Sequence, residues 1–331
     1  MNILITGANG FIGSSLARLL VSENHKVKAM VLQGTSLNNL KGINCEIIYA
    51  DVTKPEMLKG IMTDIDLIYH LAALPSVAWA KRIYQVNYDG TRNLVNEALK
   101  SGVKRFVFMS SLVVHGFKNF IKADETTPIL EPGVFTRPYI RSKIMCERYL
   151  KEIQDKIETV IIRPGFNIFG PNDVLSTKEI IGRLEKKQLM GYVGSGMKKL
   201  GYVYVENLAF GLLCAGTSEK APGNAYVIAD REPEYIHLKE FFINWCKRLN
   251  IKPRIIGAPV FVLMPIGFLI DFVHFTVLRK IMPLLSTYTV NSANHDLYFV
   301  SDKAVKEIGY IQKVGFDEAI ERTWEWYKNL K

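Results

Sequence analysis

Tyr139 and Lys143 stand four residues apart in Pro138-Tyr-Ile-Arg-Ser-Lys. On a helix that spacing puts both side chains on one face. An ammonium beside a phenol favours the phenolate and lowers its pKa from the ordinary value of about 10. Tyrosine then becomes a usable general acid or base near neutral pH. The spacing alone carries little weight, because Tyr235 with Lys239 and Tyr327 with Lys331 share it. Context singles out the first pair. It opens a helix-like segment and follows a strand-like run that ends at Ser110-Ser111.

A second group is suited to phosphate. The strand-like run Ile3 to Thr6 leads into Gly7-Ala8-Asn9-Gly10-Phe11-Ile12-Gly13, a GxxGxxG spacing, and then into a helical pattern. Glycines allow the tight turn and let the backbone approach a pyrophosphate. The helix N-terminus adds N–H groups and partial positive charge. Its place after a strand, before a helix and at the start of a βαβ pattern is what a dinucleotide-binding fingerprint requires. The residue that reads the ribose is expected about 20 residues further on, at the end of the second strand. That place reads Met30-Val31-Leu32-Gln33, with no acid for a 2′-hydroxyl and no Arg for a 2′-phosphate. The missing acid removes repulsion against NADP, and Gly34-Thr35-Ser36 offers donors. The choice between NAD and NADP therefore leans to NADP.

The elements that must position these groups follow from hydrophobic pattern. Ile3 to Thr6, Val27 to Leu32, Glu46 to Tyr49, Asp66 to His70, Phe106 to Met109 and Thr159 to Arg163 read as strands. Phe11 to Val21, Tyr84 to Lys100 and Tyr139 to Ile153 read as helices between them. Near-continuous apolar strands alternating with helices imply a parallel sheet covered on both faces. The simplest such α/β architecture is the doubly wound (Rossmann) sheet. We place a nucleotide-binding domain at residues 1–164. A smaller substrate-binding lobe follows at 165–331, interleaved with the sheet, with short β-like runs at Gly201 to Val205 and Ala225 to Ile228.

Composition narrows the class. The chain has 331 residues, 48 % hydrophobic and 22 % charged, which excludes disorder, collagen and coiled coil. Cys45, Cys146, Cys214 and Cys246 form no CxxC pair, and the six histidines include no HExxH, so neither a disulfide framework nor a metal site is expected. The net charge of +10 is spread along the chain without a basic block, so no nucleic-acid partner is expected. With no secretory signal in the N-terminal pattern, a cytoplasmic protein is the expectation.

The oddest stretch is residues 255–270, which carry no charged side chain before Asp271 and His274 interrupt. A spanning helix needs about 20 predominantly apolar residues, and Pro259, Pro265 and Asp271 disfavour one here. Three readings of the apolar region 255–285 stay open: a buried or dimer-forming helix pair, a lid over an apolar substrate, or an interfacial helix that contacts a membrane.

Taken in order, these motifs resemble an extended short-chain dehydrogenase/reductase of the NAD(P)-dependent epimerase/dehydratase superfamily. The resemblance covers most of the chain. It includes the glycine loop, Ala50-Asp51-Val52, His70-Leu71-Ala72-Ala73 and Val86-Asn87-Tyr88-Asp89-Gly90-Thr91. It continues through Phe106 to Gly116, Tyr139 to Lys143, Arg163-Pro164-Gly165-Phe166-Asn167-Ile168-Phe169-Gly170-Pro171, Gly201 to Ala209 and the stretch from Asp302 to Leu330. The resemblance implies that Ser111 bonds the reacting oxygen, that Tyr139 donates or accepts the proton, and that Lys143 holds the nicotinamide ribose. It also implies cofactor contacts from Gly7, Asn9, Gly10, Phe11, Ile12 and Gly13. Asp51 and Val52 would meet the adenine end. Further contacts would come from Leu71, Ala72, Ala73, Asn87, Ser110 and Pro164. A turn-forming role is the alternative for Ser111, but its place at a strand's C-terminal end favours the functional one; Asn167 could contact substrate or equally cap the loop before Gly170. A homodimer through helices near 84–100 and 139–153 is the expected assembly.

The C-terminal half is most similar to the 3β-hydroxysteroid dehydrogenase and dihydroflavonol reductase branch, which implies a secondary alcohol or ketone on a bulky apolar substrate. The alternative is a nucleotide-sugar epimerase or dehydratase. That class needs cationic clamps for a diphosphate. Where the family pattern places an Arg, this chain has Val290-Asn291-Ser292-Ala293-Asn294-His295-Asp296, although Arg231 could substitute. Leu112-Val113 is apolar where dehydratases carry a polar residue. A non-catalytic cofactor-binding protein is the third reading, and Ser111, Tyr139 and Lys143 argue against it.

Overall fold

A computed structural model describes residues 1–74, 80–134, 136–273 and 285–330. Five strands come first: β1 (Asn2–Thr6), β2 (Lys26–Val31), β3 (Glu46–Tyr49), β4 (Leu67–His70) and β5 (Arg105–Met109). With the strands Glu158–Pro164 and Ala225–Ile228 they form one seven-stranded sheet, entirely parallel. Running from the Ala225–Ile228 edge, the order is that strand, Glu158–Pro164, β5, β4, β1, β2, β3. The order reverses between β1 and β4, which opens a crevice at their C-terminal ends where such sheets bind ligands.

The sheet is buried on both faces because its strands are apolar at both parities. Ile3, Ile5, Leu67, Tyr69, Val107 and Met109 point to one side. Leu4, Ile68, Phe106 and Phe108 point to the other. Helix α1 (Phe11–Ser22) lays Leu16, Ala17 and Leu20 on the first face beside the helix Val205–Thr217. That second helix comes close because Gly211 and Gly216 carry no Cβ. One at Gly211 would meet Ile228 Cγ2 at 2.7 Å. The helices Gly90–Lys100 and Pro138–Glu152 cover the opposite face through Leu94, Val95, Ala98, Cys146 and Leu150. Fully burying one such aliphatic side chain stabilises by about 1.5–3 kcal/mol.

The second half of the chain contributes more strand than its pattern suggests. Besides Ala225–Ile228 it supplies three strands of a four-stranded sheet, whose fourth member is Phe120–Ala123. It also pairs Asn167–Phe169 with Tyr202–Tyr204 and Met190–Val193 with Ile255–Ala258, both in parallel. These strands are two to four residues long, too short for an alternating pattern to register. Of the apolar region 255–285, residues 274–284 lie outside the described residues. No helix among the described residues is long and apolar enough to cross a membrane.

Candidate active site

The glycine loop leaves β1 at the switch point. Gly7 adopts φ +68°, and its amide donates to the Met30 carbonyl at 3.0 Å, which fixes the turn against β2. A Cβ at Gly13 would lie 2.3 Å from the Gly7 carbonyl oxygen, and one at Gly7 would lie 3.0 Å from Ala72. Those two glycines are therefore steric necessities of the loop. Gly10 is the N-cap of α1 and supplies no side-chain cap, so the first-turn amides have no side-chain acceptor there. This exposed cradle at a helix N-terminus fits the diphosphate of a dinucleotide. Phe11 and Ile12 begin α1 and pack toward the second half of the chain.

Asn9 braces the loop from the side. Its Nδ2 donates to Thr35 Oγ1 and to the Ser36 carbonyl, each at 2.9 Å, while Asn39 Nδ2 donates to the Asn9 carbonyl at 3.0 Å. The segment after β2 is thus tied to the phosphate loop. After β3, Asp51 Oδ1 accepts from the Thr53 amide at 2.8 Å and hydroxyl at 2.7 Å. Partial burial works against its ionisation. The Thr53 bonds and the nearby charges of Arg82 and Lys54 outweigh it, and the carboxyl stays below its ordinary pKa. Val52 is buried beneath Gly90, where a Cβ would approach Val52 Cγ2 to 2.7 Å.

The β4 exit is held by a buried polar chain that the sequence reading did not foresee. Thr6 Oγ1 accepts from the Ala72 amide at 3.1 Å and meets His70 Nδ1 at 2.7 Å. On the other side His70 Nε2 meets Thr91 Oγ1 at 2.9 Å, and Thr91 donates to the Asn87 carbonyl. Burial, aided by the Lys143 charge, pushes the His70 pKa down to about 3, so the ring is neutral. The helix expected to start at Tyr84 instead begins at Ala80 and passes through a π-helical turn, Tyr84–Asp89. That turn aims Asn87 at Leu74. Asn87 Oδ1 accepts from the Leu74 amide at 2.8 Å, and Nδ2 donates to the Leu74 carbonyl at 3.0 Å and to Ser142 Oγ at 3.2 Å. Asn87 therefore fastens the Leu71–Leu74 segment to the Pro138–Glu152 helix.

Pro138 occupies the first turn of that helix, where its missing N–H costs nothing. Tyr139, Lys143 and Glu147 follow at four-residue intervals on one face. Ser111 Oγ accepts from the Val113 amide at 3.4 Å, and the Ser111 side chain also acts to lower the Tyr139 pKa. Lys143 is buried, donates to the Met109 carbonyl at 2.6 Å and lies 4.6 Å from the Phe108 ring centroid and 5.9 Å from that of Tyr139. Burial lowers the Lys143 pKa to about 8.

The expected fall in the Tyr139 pKa is not what the chain by itself produces. Burial raises it, and the Ser111 side chain opposes that rise only in part. The ammonium is directed at the Met109 carbonyl, so its pull on the phenol is weak. Ser110 also differs in emphasis. Its hydroxyl is committed to Glu147, within a fully buried cluster in which Glu147 takes Arg163 in a two-pronged pair at 2.6 and 3.0 Å. Arg163 further meets His115 Nε2 at 3.4 Å. The one legible signal for this cluster was a charged Arg163 ending an apolar strand. Pro164 is buried at the same strand end. Asn167 lies in its short strand, with no side-chain hydrogen bond to the described residues.

His115 supplies a pH test of the cluster. Its Nδ1 lies 3.1 Å from the Pro128 carbonyl and its ring stacks on Phe299 at 5.1 Å. Burial, then the Arg163 charge, pushes its pKa down to about 4 from 6.5. The unfolded chain binds the proton first, so this contribution is complete above about pH 6.5 and drains away as pH falls toward 4. At pH near 5 the expected loss is on the order of 2 kcal/mol. His115→Gln keeps hydrogen-bonding capacity without titrating. Urea unfolding of the two chains at neutral pH and near pH 5 should show a flatter acid dependence in the variant; equal slopes would contradict this account.

Around Tyr139 the walls are apolar. Val113, Val114, Ile140 and Ile144 form the buried cluster against which Tyr139, Phe117, Phe166 and Tyr288 pack. Phe117 meets Tyr288 edge-on at 5.1 Å and Phe166 at 6.5 Å. Phe117, Phe166 and Tyr288 come from three distant segments, and no spacing in the sequence could have joined them. Cations lie close to this cluster: the Arg137 guanidinium stands 5.6 Å from the Tyr288 ring centroid, and Arg141 donates to the Gly133 carbonyl. Arg137 donates to Asp271 at 2.6 Å and to Thr287 at 2.7 Å. Arg231, considered above as a substitute clamp, pairs with Asp302 at 3.1 Å and lines a separate cavity of about 810 Å³ with Lys122, Glu232 and Tyr298.

Comparison with known proteins agrees with this geometry. The sequence profile of the NAD dependent epimerase/dehydratase family matches residues 3–229. A 3 beta-hydroxysteroid dehydrogenase/Delta 5-->4-isomerase of Mycobacterium tuberculosis is 29 % identical over 346 residues, covering 99 % of this chain and 90 % of that protein. A 3beta-hydroxysteroid-dehydrogenase/decarboxylase isoform 1 of Arabidopsis thaliana is 26 % identical over 356 residues, covering 99 % and 80 %. Among solved structures, a UDP-glucose 4-epimerase of Thermotoga maritima superposes with a TM-score of 0.81 at 22 % identity, covering all of both chains, which is a likeness of fold.

Proposed function

Since the chain belongs to the NAD dependent epimerase/dehydratase family, as an NAD(P)-dependent enzyme of the extended short-chain dehydrogenase/reductase type, we propose that it interconverts a secondary alcohol and a ketone on a bulky apolar substrate. The observation that supports this reading is the apolar cluster of Val113, Val114, Ile140 and Ile144 on which Tyr139 packs. An uncharged wall of Phe117, Phe166 and Tyr288 suits a steroid-like, flavanonol-like or lipid-like ring system. A diphosphate would need guanidinium or ammonium groups, and the nearest, Arg137, is paired with Asp271.

In the reducing direction, Tyr139 gives its hydroxyl proton to the substrate oxygen. Ser111 donates to the same oxygen and stabilises the developing alkoxide. The raised Tyr139 pKa keeps that proton in place at neutral pH. In this reading Lys143, with its ammonium buried and its pKa near 8, would hold the nicotinamide ribose and return a proton toward the tyrosine. When bound, the nicotinamide supplies or accepts the hydride. Gly10 and the first turn of α1 hold the diphosphate. We favour NADP: no carboxylate ends β2, and the Ser36 hydroxyl, which accepts from the Asn38 amide at 3.3 Å, keeps its proton to donate.

The test is a steady-state absorbance assay with NADH and NADPH against hydroxysteroids, flavanonols, long-chain β-hydroxy compounds and nucleotide sugars. Net turnover with an apolar alcohol or ketone, faster with NADPH, is expected. A converted nucleotide sugar without net cofactor change would replace this reading with that of an epimerase.

A further inference from the structure

A phenol enclosed by protein normally finds a hydrogen-bond acceptor. Tyr69, Tyr202, Tyr204, Tyr226 and Tyr310 are fully buried, and each donates its hydroxyl to a protein oxygen at 2.9–3.2 Å. Tyr288 is partly buried, yet its hydroxyl makes no hydrogen bond to the described residues. Burial, and then the neighbouring Tyr139, raise its pKa above the ordinary phenol value, against the pull of Arg137. At neutral pH it therefore keeps a proton that no protein group takes.

The residue stands beside the reacting pair. Tyr288 packs with Tyr139, Phe117 and Phe166 on the cluster that joins the turn after Ser111 to the start of the Pro138–Glu152 helix. Phe117 meets its ring edge-on at 5.1 Å, and the Arg137 guanidinium lies 5.6 Å from its centroid. Arg137 is itself fixed. It donates to Asp271 Oδ2 at 2.6 Å and to Thr287 Oγ1 at 2.7 Å, while Asp271 Oδ2 also accepts from the Thr287 amide at 3.0 Å. Asp271 is one of two buried residues in the helix Val260–Val273, whose Phe261, Phe268 and Phe272 face outward. The network joins the residue before Pro138-Tyr139 to the residue before Tyr288, so one set of bonds places both phenols.

We propose that Tyr288 is a substrate-contacting residue whose hydroxyl donates a hydrogen bond to a second oxygen of the substrate, and that Arg137, Asp271 and Thr287 are the positioning residues that hold it there. This rests on the alcohol–ketone reading above. In that reading Tyr139 and Ser111 both donate to the reacting oxygen, and a carbonyl oxygen has two lone pairs. A third donor must serve another acceptor. The preferred substrate is then an apolar ketone with an oxygen substituent close to the carbonyl carbon. A ketone without that oxygen would leave the Tyr288 hydroxyl enclosed and unpaired, and such a mismatch is how a polar group discriminates between ligands.

The probes are 1-tetralone and 2-methoxy-1-tetralone, apolar ketones of which the second carries an added oxygen that accepts a hydrogen bond and cannot be oxidised by hydride loss. Each is titrated calorimetrically into the full chain saturated with NADP⁺ or NAD⁺, whichever it binds. No hydride is available, so binding alone is read. The methoxy ketone should bind about 10-fold more tightly, the worth of one neutral hydrogen bond. Tyr288→Phe, which breaks no hydrogen bond within the protein, should bind both ketones equally. Asp271→Asn should shrink the ratio of the two affinities, whereas a merely loosened structure would lower both together. A ratio near one in the parent, or the parent ratio retained in Tyr288→Phe, would overturn the contact. The parent ratio retained in Asp271→Asn would overturn the positioning role of the network. Failure of both ketones to bind would overturn the contact and the apolar-substrate reading together. The expected ratios without reduction of either ketone by NADPH or NADH would leave Tyr288 in place and remove only the alcohol–ketone reading.

Discussion

Tyr139→Phe is expected to lower turnover by about 10²–10⁴-fold, the usual contribution of a positioned general acid or base. The substitution removes one oxygen and keeps the ring against Val113, Ile140 and Phe166. Only the hydroxyl that would carry the proton is lost, so packing survives while the proton path does not. Cofactor affinity should stay nearly unchanged, because the diphosphate cradle lies at the other end of the site, around Gly7, Gly10 and Gly13. Stopped-flow measurement of the chemical step, with fluorescence titration of NADPH, separates the two quantities. A variant that turns over at the parent rate would remove Tyr139 from the mechanism, whatever its affinity for cofactor.

Gly10→Asp should have the reverse signature: weak cofactor binding in a well-folded protein. Gly10 is the N-cap of α1, a position where aspartate is among the favoured residues and exceeds glycine by a few tenths of a kcal/mol. A Cβ there would sit 3.1 Å from the Gly7 carbonyl oxygen, a tight contact that offsets part of that gain. Thermal stability should therefore barely change. The new carboxylate, however, occupies the anion seat. Like charges about 4 Å apart at an effective dielectric near 20 repel by about 4 kcal/mol, which corresponds to a loss of affinity on the order of 1,000-fold. Calorimetric titration with NADPH beside a melting curve tests both halves. Tight binding by the variant would mean that the diphosphate does not rest on this helix terminus.

The two substitutions act on features that differ in how openly the sequence displays them. The glycine loop is a local object: Gly7, Gly10 and Gly13 lie within seven residues, and their steric need arises mostly from one another, as the 2.3 Å approach of a Gly13 Cβ to the Gly7 carbonyl demonstrates. The four-residue step from Tyr139 to Lys143 is local in the same sense, since a helix turns spacing into a shared face. The sheet was legible because strands buried on both faces are largely apolar, and five of its seven strands register within about a residue of where the pattern puts them; Glu46–Tyr49 and Ala225–Ile228 coincide. These are properties that a chain carries in short windows.

Where side chains met across the sheet, windows were not enough. The spacing implied that Lys143 would lower the Tyr139 pKa, yet the β5 exit places the Met109 carbonyl within 2.6 Å of the ammonium and burial raises the phenol instead. Ser110 read as a cofactor contact, whereas the strand Glu158–Pro164 brings Arg163 to Glu147 and draws the Ser110 hydroxyl into that cluster. Likewise, composition showed that residues 255–270 were apolar but not which way they faced. That was decided by Arg137, more than a hundred residues earlier in the chain, whose guanidinium binds Asp271 and turns the phenylalanines outward. The sequence by itself determined the nucleotide-binding fold, the glycine cradle and the shared helix face of Tyr139 and Lys143, because each follows from steric and periodic rules acting over a few residues. Only the tertiary structure decided the protonation balance of that tyrosine, the apolar walls beside it and the orientation of the apolar helix. Those depend on burial and on charge partners that become neighbours only when the chain has folded.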